Sequence, residues 1–213
     1  MTEQKGWDIY ETEMKTIGRF CYNDIPGTEN YMPKTMVQRL REIEPLVDDG
    51  FIETLLLPLN DKRAKVSLRV LDWCCVNYAL KHNASYKLQR NKTEMEFYIY
   101  EEYRKVCKAR RRRLFDPFRR KVRVRFTHGD MAHETTVAQL AFLLWARDNG
   151  VWAYTLSNAT KIEEDMRDTL RENRAKKNRK KKREKLTKQP TAHLALGSSA
   201  SVYCDNSDEE DCE

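Results

Sequence analysis

The chain has 213 residues, 34% of them charged, and a net charge of +7. This length suits one ordinary domain with tails. No apolar run approaches the roughly 20 residues that a membrane-spanning helix needs, and residues 1–10 lack the apolar segment of a signal peptide. These features predict a protein that is not secreted and has no membrane partner. They predict an intracellular protein whose six cysteines are free thiols.

The N-terminal stretch, residues 1–33, is predicted to be a flexible arm. It combines charged residues with Gly18 and Gly27 and contains few aliphatic side chains. A segment that buries little apolar surface does not offset the entropy that it loses on ordering. Aromatic side chains such as Phe20 and Tyr22 are candidate anchors of this arm on the core.

The folded domain is predicted to span residues 34–173 and to begin with a helix over 34–47. Apolar residues recur there at spacings of three and four, which is typical of a helix with one buried face. Gly50 is the expected terminator. The apolar run over 51–59 is interrupted by Pro58 and fits either a strand or a buried loop.

Two longer helices are predicted next. Asp61 is a candidate N-cap for a helix over 62–82. A polar connection over 84–93 follows, and then a second helix over 94–113. Residues 98–100 taken alone also fit a strand, so that alternative stays open.

The central part of the chain is predicted to contain a strand, a helix and a strand. Apolar and charged residues alternate over 121–127, which is typical of a half-buried strand. Thr135 or Thr136 is expected to cap a strongly apolar helix over 137–148. A second strand is predicted over 151–156, which permits a parallel pair joined by a helical crossover.

The sequence as a whole predicts a mainly helical α+β fold, with one small domain and a short two-stranded sheet. A last helix is expected to begin near Asn158 and to continue into a basic end over 174–190. That end must project into solvent or onto a partner, because it carries almost no apolar residue. Residues 191–213 are predicted to be a disordered acidic tail.

One basic cluster lies within the predicted domain. From Arg104 to Arg125 there are twelve Lys and Arg residues and one acid, Asp116. Arginine binds phosphate through paired hydrogen bonds and stacks on aromatic rings, although solvation or pairing with Asp116 is the alternative. Phe115 and Phe118 are expected to anchor the segment in the core rather than to stack on bases. The predicted nucleic-acid-binding residues here are Arg110, Arg111, Arg112, Arg113, Arg119, Arg120, Arg123 and Arg125.

A second basic cluster lies near the C-terminus. Ten Lys and Arg residues and one acid occupy residues 174–188. This imbalance is uncommon on a helix surface with paired charges, and it is typical of a segment that binds a phosphate backbone. A solvated helix end is the alternative. The predicted contact residues are Lys176, Lys177, Arg179, Lys180, Lys181, Lys182 and Arg183.

Catalytic motifs are absent from the sequence. It has no glycine-rich phosphate loop and no nucleophile elbow. His128 and His133 lack the tight spacing of a zinc site. Asp130, His133 and Glu134 could be drawn as a general-base cluster, but a turn before a helix explains them without chemistry. A non-enzymatic protein with no metal or other cofactor is therefore predicted.

Three short boxes between Lys65 and Met166 stand out. They are Leu71-Asp72-Trp73 with Val76-Asn77-Tyr78, the stretch Phe115-Asp116-Pro117-Phe118-Arg119-Arg120, and Thr135-Thr136-Val137-Ala138-Gln139-Leu140 with Trp145-Ala146. They resemble a small uncharacterised protein family of large double-stranded DNA viruses. That family carries no established catalytic residues. The resemblance implies a viral protein made in the host cell, either packaged with the viral genome or acting on it.

Together these features predict a nucleic-acid-binding accessory or genome-packaging protein, with DNA favoured over RNA as the partner. The alternative is a structural or interaction protein of the virion whose basic arm binds acidic protein partners. Both hypotheses place the protein in the host cytoplasm or nucleus, or in the virus particle.

Overall fold

The structure is a computed structural model that describes residues 14–28, 30–60, 63–90 and 93–187, with only the helical backbone described from residue 180 onward. The chain divides into two compact units, Met1–Leu170 and Arg171–Glu213, and each is described by itself. Within the described ranges, no helix is long and apolar enough to cross a membrane.

The first unit opens with a hairpin of two antiparallel strands, β1 (Met14–Ile17) and β2 (Phe20–Asn23). Phe20 and Tyr22 lie on the same face of β2 and are buried in the core. The predicted flexible arm is therefore wrong from residue 14 onward, and residues 1–13 lie outside the described part of the chain. Two aromatic rings bury enough apolar surface to order a segment that has few aliphatic residues.

Helix α1 (Lys34–Ile43) continues into a 3₁₀ turn, Glu44–Leu46. Its buried residues are Met36, Leu40 and Ile43, which recur at the predicted spacings. The prediction of a helix over 34–47 is confirmed, and Val47 behind it is also buried.

Helix α2 occupies residues 49–60. It consists of an α-helical turn, Asp49–Phe51, a π-helical stretch, Ile52–Leu56, and a second α-helical turn, Leu57–Asn60. The carboxylate of Asp48 caps it by accepting a hydrogen bond from the Phe51 amide at 2.6 Å. The predicted strand or loop over 51–59 is thus wrong, and Gly50 lies inside a helix instead of ending one.

Helix α3 occupies residues 68–82. Its parts are Leu68–Trp73, a π-helical stretch Cys74–Tyr78, and Ala79–His82. Ser67 is its N-cap and accepts from the Val70 amide at 3.3 Å, so the predicted start at residue 62 is wrong. The wider π-helical turn lets the adjacent thiols Cys74 and Cys75 both enter the core.

A second hairpin, β3 (Ser85–Arg90) and β4 (Thr93–Tyr98), precedes helix α4 (Ile99–Ala109). The predicted polar connection over 84–93 is largely strand, and the predicted helix over 94–113 is correct only from 99 to 109. The rings of Tyr86 and Phe97 pair across the hairpin with centroids 5.3 Å apart, and this pairing favours strands there.

A third hairpin contains β5 (Arg123–His128) and β6 (Met131–Thr136). The first of these strands confirms the strand predicted over 121–127. In the larger sheet the strands lie in the order β1-β2-β5-β6, and every pair is antiparallel. Phe20 pairs with Phe126 across β2 and β5, with ring centroids 5.6 Å apart.

Helix α5 (Val137–Asp148) has the predicted bounds, and the Thr136 hydroxyl caps it by accepting from the Gln139 amide at 3.2 Å. Gly150, at φ +77°, then turns the chain into a short helix, α6 (Val151–Ser157). The predicted strand over 151–156 is wrong, and with it the parallel pair. Val151 and Thr155, one helical turn apart, are buried.

The last helix, α7 (Ala159–Thr187), begins in the first unit, where Ile162 is buried in the core. Residues 171–187 of this helix belong to the second unit. The predicted acidic tail, residues 191–213, lies outside the described part of the chain.

The core of the first unit is formed mainly by α1, α2, α3 and α5, with one face of the larger sheet. Leu140, Phe142 and Leu143 on α5 are fully buried. The predicted mainly helical α+β class is confirmed. The described residues contain a four-stranded and a two-stranded sheet, so the strand content exceeds the prediction of a single short sheet.

Candidate nucleic-acid interface

Residues 110–120, here called the arginine segment, connect α4 to the strand β5. The helix ends at Ala109, the backbone of Arg110 behind it is extended, and a 3₁₀ turn, Arg112–Leu114, follows. The Asp116 carboxylate accepts a hydrogen bond from the Phe118 amide at 2.9 Å, and the Asp116 amide donates to the Ala138 carbonyl at 3.3 Å. The path of the segment is therefore fixed by hydrogen bonds at its centre.

The two phenylalanines of the arginine segment have different environments. Phe115 is 4% exposed and contacts the rings of Phe142 and Trp145, with centroids 5.8 and 6.0 Å away. Phe118 is 47% exposed. The predicted anchoring role is right for Phe115 and wrong for Phe118, whose ring is available to a partner.

The arginine segment carries guanidinium groups without carboxylate partners. The alternative of pairing with Asp116 is not observed among the described residues, and the Asp116 carboxylate accepts a backbone hydrogen bond from Phe118. Within the described residues, no ion pair is made by any of six arginines: Arg110, Arg111, Arg112, Arg113, Arg119 and Arg120.

Some basic side chains elsewhere in the first unit have carboxylate partners. Lys87 binds Glu94 at 3.1 Å, and Lys105 binds Glu102 at 2.6 Å. Further pairs are Lys15 with Asp24, Arg19 with Asp49, and Arg147 with Asp48. The arginine segment is therefore one part of the described surface where several arginines lie close together in sequence without an ion pair among the described residues.

Strand β5 contributes two arginines that are already paired. Glu134, on the neighbouring strand, lies 2.7 Å from Arg123 and 4.0 Å from Arg125. Both were predicted to extend the basic surface. Because they share one carboxylate, they add less positive charge than the arginine segment does.

A small cleft of about 280 Å³ lies where the end of the arginine segment meets α5. The Nε of Arg119 is buried and has no hydrogen-bond partner among the described residues. The N-terminus of α5 adds positive potential at Thr136. The side chains that line this arginine–threonine cleft include Asn60, Arg119, Arg120, Arg123, Thr136 and Gln139.

A larger cleft of about 670 Å³ lies between α3, α4 and the arginine segment, and it is here called the aromatic cleft. It combines rings, guanidinium groups and the two carboxylates of Asp72 and Asp116 within one space. The lining side chains used below are Asp72, Tyr103, Arg104, Arg110, Arg112 and Phe118.

The charged groups of the aromatic cleft are partly removed from water. Burial raises the pKa of Asp72, as does the charge on Asp116, while a hydrogen bond from Tyr103 opposes the shift. Burial and the neighbouring charge of Arg39 lower the pKa of Arg110, while the charge of Glu42 opposes the shift. Both side chains are therefore less well solvated than they would be in free solution. A ligand group of opposite charge that contacts them contributes more binding free energy than it would at an exposed site.

Among the described residues, the predicted cluster of Asp130, His133 and Glu134 has its side chains in separate environments. His133 stacks on Phe126 with centroids 5.5 Å apart, and Glu134 is engaged by the arginines of β5. His128 lies 3.4 Å from Glu53, and Asp130 occupies an exposed turn. Across the described ranges, no three His, Cys, Asp or Glu side chains converge as metal ligands would.

The C-terminal basic run belongs to the second unit. Lys176, Lys177 and Arg179 are exposed on α7, and Lys176 lies 3.8 Å from Glu172. The backbone of α7 is helical through the remaining predicted residues, Lys180, Lys181, Lys182 and Arg183.

Sequence reasoning did not identify Asp72, Tyr103 or Arg104 as site residues. Asp72 is the acid of the first box and lies directly after buried Leu71 on α3. The signal that the sequence offered for this site was an acidic residue at the edge of the apolar face of a helix. Only the tertiary fold brings it beside α4 and the arginine segment.

This chain belongs to a family of unknown function, DUF7197, whose model matches residues 45–209. The match includes the arginine segment and both clefts. No solved structure matches the chain.

A curated relative is "Uncharacterized protein L507" of Acanthamoeba polyphaga mimivirus, 30% identical over 170 residues. The alignment covers 74% of this chain and 65% of the relative, so the chain spans about two thirds of the relative's length. The predicted resemblance to an uncharacterised family of large double-stranded DNA viruses is thereby confirmed.

Proposed function

We propose that this viral protein is a non-enzymatic nucleic-acid-binding protein, serving as an accessory or packaging factor for the viral genome. The observation that carries the proposal is that six arginines between Arg110 and Arg120 form no ion pair with any described residue. DNA is the favoured partner because the family belongs to DNA viruses.

Arginines that have no ion-pair partner and lie in one short segment repel one another electrostatically. Binding of a polyanion reduces this repulsion and is therefore favourable. Burial lowers the pKa of Arg110, the nearby charge of Arg39 lowers it further, and the charge of Glu42 opposes the shift. A phosphate accepts two parallel hydrogen bonds from one guanidinium group and relieves such repulsion. A nucleic-acid backbone supplies phosphates at regular intervals, which suits a segment with arginines along its whole length.

The C-terminal basic run supports the same proposal in a different way. Its described residues Lys176, Lys177 and Arg179 are exposed on a helix with little apolar surface. Lysine is a compact point charge, so this run contributes affinity that is independent of base sequence and sensitive to salt.

The test compares two triple variants that remove the same charge. The first, Arg111→Gln, Arg112→Gln and Arg120→Gln, removes exposed unpaired arginines. The matched control, Lys15→Gln, Lys87→Gln and Lys105→Gln, removes exposed lysines that already have carboxylate partners. Binding to duplex DNA, single-stranded DNA and RNA is measured by fluorescence anisotropy at low salt.

The arginine variant is expected to bind at least roughly tenfold more weakly than wild type, since three phosphate contacts are lost, and the lysine variant much less so. Equal losses in the two variants would contradict a role for the arginine segment. Undetectable binding of the wild-type protein to every polymer would overturn the proposed function and leave an acidic protein as the partner to test.

A further inference from the structure

We infer that the aromatic cleft holds one unpaired guanine nucleotide of a nucleic-acid strand. The inference rests on the proposed function and adds to it a base specificity and a preference for single strands. It starts from Asp72, whose carboxylate lines the cleft.

Asp72 is a carboxylate with unused acceptor capacity. Its hydrogen-bond partner among the described residues is the Tyr103 hydroxyl, at the long distance of 3.5 Å. An ionised carboxylate accepts about four hydrogen bonds. Arg104 and Arg110 line the same cleft without forming an ion pair with it. A half-buried acceptor of this kind points to a ligand that brings hydrogen-bond donors.

The cleft also has the size and walls of a nucleotide site. Its volume of about 670 Å³ lies within the usual range for small-molecule pockets. The rings of Tyr103 and Phe118 line it, and the latter is 47% exposed. Arg110 and Arg112 line the same space and offer donors to a phosphate. A donor-bearing aromatic group joined to an anion matches this set, which is the composition of a nucleotide.

Guanine is the base whose donors match a carboxylate. Its N1–H and N2 amino group are adjacent and parallel, so both oxygens of Asp72 can accept at once. Adenine and cytosine place an acceptor nitrogen beside their single amino donor, and the N3–H of thymine lies between two carbonyls. The two guanine donors are on the Watson–Crick edge, so the guanine must be unpaired to bind in this way.

The bound nucleotide is inferred to be part of a strand. The arginine segment continues from this cleft to the arginine–threonine cleft, where Arg119 and Arg120 lie. These arginines can contact phosphates that flank the bound nucleotide. A free guanosine monophosphate would leave them without partners, so it should bind more weakly than a strand.

The test uses oligo(dT) strands that carry one central dG, dA, dC or deoxyinosine, together with GMP. Wild-type protein should bind the dG strand roughly 5- to 150-fold more tightly than the all-dT strand, the range for a good bidentate base contact. Deoxyinosine, which keeps N1–H and lacks the N2 amino group, should give a smaller preference.

The decisive variant is Asp72→Asn, which keeps the shape of the side chain and removes its charge. It should lose the dG preference and bind the all-dT strand at least as tightly as wild type, because a negative charge is removed from a cleft that contacts a polyanion. Thermal unfolding verifies that the variant is folded. Asp130→Asn, in an exposed turn, is the matched control and should keep the preference.

The outcomes separate this inference from the proposed function. If all strands bind equally well to wild type, the guanine site is overturned and nucleic-acid binding stands. A dG preference that survives in Asp72→Asn also overturns it. Binding of GMP with no binding of strands would overturn both the strand assignment and the proposed function. If neither GMP nor any strand binds, the guanine site and the proposed function are both overturned.

Discussion

The hydroxyl of Tyr103 donates a hydrogen bond to Oδ1 of Asp72 over 3.5 Å, from α4 to α3. Among the described residues, this is the hydrogen bond that the carboxylate accepts, in a cleft whose lining also includes aromatic rings, arginines and Asp116. A half-buried carboxylate with one long hydrogen bond lowers the free energy of unfolding. Proteins keep destabilising side chains of this kind at binding sites, where function requires them.

Asp72→Asn should therefore stabilise the fold at neutral pH. Burial raises the pKa of Asp72 in the folded state. The folded protein then holds this proton more tightly than the unfolded chain, so the contribution of Asp72 is most favourable below its ordinary pKa and declines as pH rises through the raised value. Asparagine does not titrate, so the variant does not lose this contribution to stability as the pH rises. Thermal unfolding should show a higher Tm for the variant at pH 7, with the difference shrinking toward acidic pH.

Asp130→Asn is the control for this measurement, because Asp130 lies in an exposed turn. Its Tm should match that of wild type at both pH values. A variant at Asp72 that is less stable than wild type at pH 7 would show that the carboxylate supports the fold, and the argument for a ligand would lose its basis.

Phe118→Ala should weaken single-strand binding with little effect on stability. Its exposed ring can stack on a base, and such a contact is worth about 1–3 kcal/mol. Leu46→Ala is a matched control, since this side chain is 49% exposed and lies away from the clefts. Anisotropy titrations with oligo(dT) measure the effect, and equal affinities for the two variants would exclude stacking on Phe118.

Glu134→Gln should tighten binding to nucleic acid. The substitution removes the carboxylate that lies 2.7 Å from Arg123 and 4.0 Å from Arg125. Both arginines then become more available to phosphates beside the arginine segment. Glu94→Gln is the control because it changes the net charge equally and frees Lys87, outside both clefts. The same gain in both variants would mean that net charge alone governs affinity.

Phe20→Ala should destabilise the first unit by about 3–5 kcal/mol, the usual cost of emptying a buried aromatic site. Phe20 is fully buried and meets Phe126 in the neighbouring strand. Thr16→Ala, at an exposed position of β1, should change the free energy of unfolding by less than about 0.5 kcal/mol. Urea unfolding compares the two, and equal stabilities would show that the N-terminal hairpin does not contribute to the core.

Local signals were enough to predict some elements of the fold. Helix α5 was predicted with its bounds because Thr136 is a cap and an unbroken apolar stretch follows. Strand β5 was predicted from strict alternation. Its partner β6 was missed, because His133 and Glu134 carry no alternating pattern and are held in place by pairing with β5.

The site was predictable only in part, for a similar reason. The density of arginines between Arg110 and Arg120 is a property of composition and is visible in the sequence. Which arginines are neutralised depends on Glu134, which is adjacent to them only in the folded sheet. The role of Asp72 depends on three segments that are distant in sequence and meet at one cleft.

The salt dependence of DNA binding is the most direct test that the unpaired arginines contact phosphates. For duplex DNA, the slope of log Kobs against log[salt] changes by about 0.9 for each phosphate contact. The triple variant at Arg111, Arg112 and Arg120 should therefore have a slope shallower than wild type by about 2.7, and the triple variant at Lys15, Lys87 and Lys105 should keep the wild-type slope. Identical slopes for wild type and the arginine variant would contradict the account.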